Sequence, residues 1–177
     1  MPKIKNSIAF EIALLAIFTA LTVVCSMTFP FGLTFRIGTF IKFSPAFIVM
    51  AVAARRFGTV YTALIAGVAD IIGAFISSVP GISPGITLAA IVSGAIFGLF
   101  LYKKCTVVRI VWAVVASQLI GGLVITTVSL HYYYSMPYEP MVYWRLVQTA
   151  GMIIIEIVVL YIVLIKTDIP KLLRIIK

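Results

Sequence analysis

Apolar residues run along the chain in stretches of roughly 20, the length that crosses a bilayer as a helix, and the runs break at short clusters of charges, glycines and prolines. These breaks predict helical spans near residues 7–28, 40–55, 58–77, 85–102, 107–130 and 141–166, followed by an interfacial tail at 167–177. The second span carries the weakest signal. Lys42 and Pro45 sit in its first turns and Arg55 and Arg56 close it, so a five-span chain is the alternative.

Composition sharpens that picture. Hydrophobic residues make up 63% and charged residues 11% of the 177, far from the balance of a soluble domain. The expectation is an all-α integral membrane bundle of six transmembrane helices, filling 1–177 as a single membrane domain. The first run is read as a retained helix, because no small-x-small cleavage pattern follows it.

The basic residues then decide orientation. Lys3, Lys5, Arg55, Arg56, Lys103, Lys104, Arg109, Lys166, Lys171, Arg174 and Lys177 fall on one side, and Arg36, Lys42 and Arg145 on the other. That asymmetry follows the positive-inside rule and predicts both termini in the cytoplasm, with the loops near 29–39, 78–84 and 131–140 outside. The net charge of +9 is accounted for by topology and lipid contact rather than by nucleic acid. Cys25 falls near the outer end of the first span and Cys105 in an inner loop, too far apart for a disulfide.

Candidate chemistry gathers in four places. Residues 64–88 combine Asp70 with the small neighbours Ala66, Gly67, Gly73 and Ala74, then a loop bent by Pro80, Gly81, Pro84 and Gly85. The small stripe suits close helix packing, and the loop, with Pro84, Gly85 and Thr87 beneath it, suits the rim of an outer site. Arg36 and Lys42 either snorkel to the interface or meet an anionic ligand. The segment 129–148 holds His131, Tyr132, Tyr133, Tyr134, Tyr138, Tyr143, Trp144, Arg145 and Gln148. An interfacial aromatic belt explains much of it, while flat rings beside Arg145 and Gln148 also suit an aromatic, carboxylated solute. Finally, Ala9, Ala13, Ala16 and Ala20 form one stripe on the first helix, for packing within the chain or for docking a second membrane subunit.

Acids and motifs limit the chemistry. Glu11 lies close enough to the interface to be solvated or paired with Lys5, whereas Glu156 is deep and must face the bundle interior or be protonated. No HExxH, GxSxG, paired-aspartate or Walker motif occurs, so no enzyme activity and no cofactor or metal site is expected. Any energy for transport comes from elsewhere.

These residues resemble the substrate-binding (S) components of energy-coupling factor (ECF) vitamin transporters, folate-type branch. The resemblance covers nearly the whole chain in span order and is densest at IKFSPAFIVMAVAARRFG, AGVADIIGAF and PGISPGITLAAIVSGAIFGLFLY, between residues 37 and 102. It implies a six-helix subunit in the plasma membrane of a prokaryote that captures a water-soluble vitamin outside, folate first. It implies partners too: a membrane coupling subunit, met by the Ala9–Ala13–Ala16–Ala20 face, and two ATPase subunits, which alone use ATP. The run Ile125-Thr126-Thr127-Val128 aligns with the family's fifth-helix Asn-Thr-Leu-Trp run and adds Thr127 to the expected pocket of Arg36, Lys42, Pro84, Gly85, Thr87, His131, Trp144, Arg145 and Gln148. The competing readings are an S component for another vitamin and a self-sufficient proton-coupled carrier using Asp70 or Glu156.

Overall fold

The structure, a computed structural model, describes residues 8–27, 35–37, 41–76, 84–102, 105–134 and 138–166. The described residues form six helical stretches: α1 Ile8–Ser26, α2 Ala46–Phe57, α3 Thr59–Ile76, α4 Pro84–Leu101, a fifth made of α5 Val107–Ala116, a π-helical Ser117–Ile125 and α6 Thr126–Tyr134, and a sixth made of α7 Tyr138–Tyr161 with a π-helical end at Ile162–Lys166. Five of these are long and apolar enough to cross a membrane. Large apolar side chains stay exposed along them, among them Ile12, Ile17, Val60, Leu64, Phe75, Trp112 and Ile154. In water such faces would be costly; in a bilayer they are the solvent contact.

The second helix departs from the expected span. It starts at Ala46 instead of near 40, because Ile41–Phe43 (β2) pairs antiparallel with Phe35–Ile37 (β1), Arg36 opposite Lys42. Pro45 caps the helix, where a missing N–H costs nothing. Ser44 Oγ accepts the Ala46 N–H and donates to Cys25 O at 3.0 Å, tying the ribbon's exit to the end of α1. At ~1.5 Å per residue the 12 residues of α2 fall short of a ~30 Å hydrocarbon core. Ala51, Ala53 and Ala54 are wholly buried, so α2 is a plug inside the bundle more than a wall of it.

The tightest contact joins α3 and α4. Gly58, at φ 82°, turns the chain from α2 into α3 through a backbone region that side chains disfavour. A Cβ at Gly94 would lie 2.8 Å from Thr62 O, and one at Gly98 would run into the Thr59 backbone. The GxxxG spacing is thus the α3–α4 seam. The small stripe around Asp70 splits between partners: Gly67 faces Ile91 of α4 and Gly73 faces Ser26 of α1.

A larger core fills the end where α4 closes and α5 begins. Phe47, Ala51 and Ala54 meet Phe97, Leu101, Ile110, Ala113, Val114, Leu160 and Leu164 there. The charges beside it are tied down. Arg55 Nη1 donates to Leu164 O at 3.0 Å, where the π-helical end of the sixth stretch leaves a carbonyl within reach. Arg56 pairs with Glu11 at 3.3 Å; Lys5, the other partner considered for Glu11, lies outside the described residues. Cys105, between α4 and α5, is half-buried; burial pushes its thiol pKa up, with the Arg55 charge pulling the other way.

α1 leans on the bundle mainly by its C-terminal end. Val23 and Met27 pack on Ala69, and Cys25 on Ala46 and Val49, while Phe18 meets Phe57 edge-on at 5.6 Å. Ala9, Ala13, Ala16 and Ala20 line the helix's earlier turns; Ala9 and Ala20 are exposed, and Ala13 and Ala16 stand clear of every core cluster. The 167–177 tail lies outside the described residues.

Candidate functional site

The expected outer site draws on four elements, and the fold brings them to one end. β2 packs beside α7, α6 beside α7, and the first turns of α4 beside α6. The last contact is close: a Cβ at Gly85 would lie 2.8 Å from Ser129 Cβ and 3.6 Å from the Tyr133 ring. Gly85 therefore acts as the gap that lets α4 start against α6.

Along α7, Arg145, Gln148, Thr149, Met152 and Glu156 follow at three- and four-residue spacing and form one stripe. Thr149 and Glu156 are buried, and Arg145, Gln148 and Met152 are half-buried. Trp144, one turn before Gln148, stands at the edge of this stripe and keeps 51% of its surface exposed, while Tyr143 on the opposite side keeps 72%. Arg145 and Gln148 lie on the stripe that leads into the bundle, Trp144 stands half-exposed at its rim, and Tyr143 opens outward where an interfacial belt belongs. Tyr132 and Tyr133 stack edge-on at 5.3 Å and are exposed.

α6 runs further than expected, to Tyr134, so His131 and the tyrosines are helical rather than in a loop. His131 is exposed. Thr127 is 5% exposed, and its Oγ1 has no hydrogen-bond partner among the described residues. A buried hydroxyl costs free energy when unpaired, which suits a group kept for a ligand.

Thr87 is committed elsewhere than expected. Its hydroxyl donates to Asp70 Oδ2 at 2.8 Å, closing α4's first turn onto α3. This supports Asp70 as a hydrogen-bonding anchor. Toward a ligand the Thr87 oxygen then offers only lone pairs. Pro84 is exposed at the head of α4. Arg36 and Lys42 are register partners on the ribbon; the expected loop near 78–84 lies outside the described residues as far as position 83.

Sequence reasoning missed a polar contact between the fifth stretch and α7. Gln118 Nε2 donates to Glu156 Oε1 at 2.6 Å, and Glu156 is 2% exposed. Two lone polar residues in apolar runs signalled it, but their pairing depends on helix packing. Among the described residues no group of three or more His, Cys, Asp or Glu side chains could hold a metal ion. A groove of about 470 Å³ on α3, lined by Val60, Ala63, Leu64, Gly67, Val68 and Ile91, is wholly apolar and includes none of these polar residues.

No protein-family model matches the chain. It is 30% identical over 122 residues to the "Folate transporter FolT" of Clostridium novyi (strain NT), covering 68% of this chain and 71% of that protein. Its fold matches a crystal structure of FolT bound with folic acid at a TM-score of 0.76 and 29% identity, covering 86% of this chain and 90% of that one. These are transport proteins, not enzymes. Identity of this size, sustained over more than two thirds of both sequences and carried on the same membrane-helix fold, makes the chain a member of the folate-type S components of ECF vitamin transporters.

Proposed function

We propose that this chain binds folate at the outer end of its bundle and hands it inward with a coupling subunit and two ATPases. The observation that carries the reading is the fold match to FolT holding folic acid. The site suits such a cargo chemically. Arg145, half-buried on the inner stripe of α7, can give a glutamate carboxylate two parallel hydrogen bonds. Thr127 Oγ1 and the Thr87 oxygen face the cargo's polar ring, Arg36 and Lys42 add charge from the ribbon, and His131, Trp144, Gln148, Pro84 and Gly85 complete the walls.

Binding needs no bond chemistry and no cofactor; ATP is used by the partner subunits alone. A nanomolar constant corresponds to about −12 kcal/mol, within reach of a buried flat ring with one or two charge-assisted contacts. The Ala9, Ala13, Ala16 and Ala20 face receives the coupling subunit, since small residues let helices approach closely in lipid. Both termini lie in the cytoplasm of a prokaryotic cell whose plasma membrane the helices cross.

Equilibrium binding of the purified chain to a panel of water-soluble vitamins tests this. Tight binding of folic acid, weakened at least tenfold in Arg145→Gln, is the expected result. Tight binding of another vitamin alone overturns the cargo, and no tight binding at all overturns the S-component reading of the site. The buried Glu156 favours one second reading, a proton-coupled carrier. That reading predicts uptake by this chain alone in vesicles under a proton gradient, abolished in Glu156→Gln.

A further inference from the structure

The fifth helical stretch contains nine consecutive π-helical residues, Ser117–Ile125, between α5 and α6. π-turns are rare and collect at functional sites. This one changes which residues of α6 meet the rest of the bundle. Gln118 and Thr127 are nine positions apart; at ~3.6 residues per turn that is about two and a half turns, which would put them on opposite sides of a regular helix. A π turn holds about one residue more than an α turn, so the same stretch closes in roughly two turns. Gln118 then meets Glu156 of α7 while Thr127 is buried as well.

Three contacts hold the stretch in this form. Gly121 O accepts both the Thr126 N–H and, at 2.7 Å, the Thr126 hydroxyl, five residues on. Gly122 has no side chain where the Gln118 amide oxygen sits; a Cβ there would be 2.7 Å from it. The other end of that amide donates to Glu156 Oε1 at 2.6 Å. The last contact is the one that reaches another helix. It links the start of the π stretch to the stripe of α7 that carries Arg145 and Gln148.

We propose that Gln118 and Glu156 are positioning residues for the vitamin site: their hydrogen bond pins the π stretch and so sets the rotation of α6 that presents Thr127 and His131 to the ligand. The proposal rests on the S-component reading above. Glu156 acts here as a hydrogen-bond acceptor, not as a proton carrier. Its second oxygen, buried and without a partner among the described residues, takes no part in the link.

The test uses the full chain in nanodiscs, with folic acid as the probe. Glu156→Leu and Gln118→Leu are each expected to weaken binding at least tenfold, while Glu156→Gln, which keeps an acceptor for Gln118, restores it to within about threefold of wild type. The rotation is read directly by thiol labelling of single cysteines at positions 127–134 in a Cys25→Ser, Cys105→Ser background. In Glu156→Leu the reactivity maximum should move by one or two positions along α6; in Glu156→Gln it should stay. An unmoved pattern in both leucine variants overturns the proposal, as does a loss of binding in Glu156→Gln as large as in Glu156→Leu. If Glu156→Leu does not fold, Gln118→Leu and the glutamine variant carry the same comparison. Absence of folic acid binding in the wild type would instead remove the parent reading, while the labelling pattern still reports on the link.

Discussion

Two seams of this bundle are built on opposite principles. Between α3 and α4 the contact is backbone against backbone, with Gly94 and Gly98 set on Thr62 and Thr59. Between the fifth stretch and α7 it runs through directional polar groups, Gln118 to Glu156, in a bundle that also buries Thr127 and Thr149. In lipid, packing drives helix association and interhelical hydrogen bonds add little net stability, averaging ~0.6 kcal/mol. The first seam therefore holds the fold and the second chooses a geometry.

The largest effect should come from breaking the first seam. Gly98→Val drives a branched side chain into the Thr59 backbone and is expected to cost about 3 kcal/mol or more, read as loss of monodisperse protein or a steep fall in Tm in detergent. Gln118→Leu takes the donor from a buried carboxyl and is expected to cost about 1–2 kcal/mol. The double variant Gln118→Leu, Glu156→Leu removes both polar groups and should melt within about 1 kcal/mol of wild type, while binding stays lost. Stability and function then separate, as the contrast between the seams requires; equal losses of both in the double variant would erase it.

Smaller effects sharpen the comparison. Thr87→Val removes the bond to Asp70 and should lower stability by about 1 kcal/mol, with Thr87→Ser close to wild type. A methyl group added at Gly151 on α7 would meet nothing within 4 Å, so Gly151→Ala should gain up to ~1 kcal/mol of helix propensity, opposite in sign to the same change at Gly94. The smallest effect is kinetic. Because burial raises the Cys105 thiol above its ordinary value, less thiolate is present at neutral pH. Maleimide labelling in a Cys25→Ser background should be slow at pH 7 and still rising where an exposed thiol has levelled off. Removing the opposing charge with Arg55→Gln should slow it further.

Much of this molecule was legible as a string. The membrane class, the long helices and the interior position of Glu156 all follow from side-chain character read a few residues at a time. The Ala9 to Ala20 stripe was visible from its spacing, and the structure leaves it outside the chain's own core clusters. The site was legible in part. Arg145 and Gln148 do share an inward stripe with Trp144 at its edge, but Tyr143 from the same cluster opens outward, since residues two apart on a helix diverge by ~200°. Glu11 meets Arg56, 45 positions away, because helix ends meet in space and not in sequence.

What the amino-acid order determined by itself is the solvent and the spans: transfer from water to hydrocarbon is a sum over local side chains, so about twenty apolar residues declare a helix wherever they occur. Only the tertiary structure decided that the second helix is a short buried plug behind a ribbon, that Thr87 belongs to Asp70, and that nine residues of the fifth stretch wind as a π-helix to bring Gln118 onto Glu156. The last two rest on hydrogen bonds between residues 17 and 38 positions apart, and such a bond exists only once two helices have settled on a common rotation.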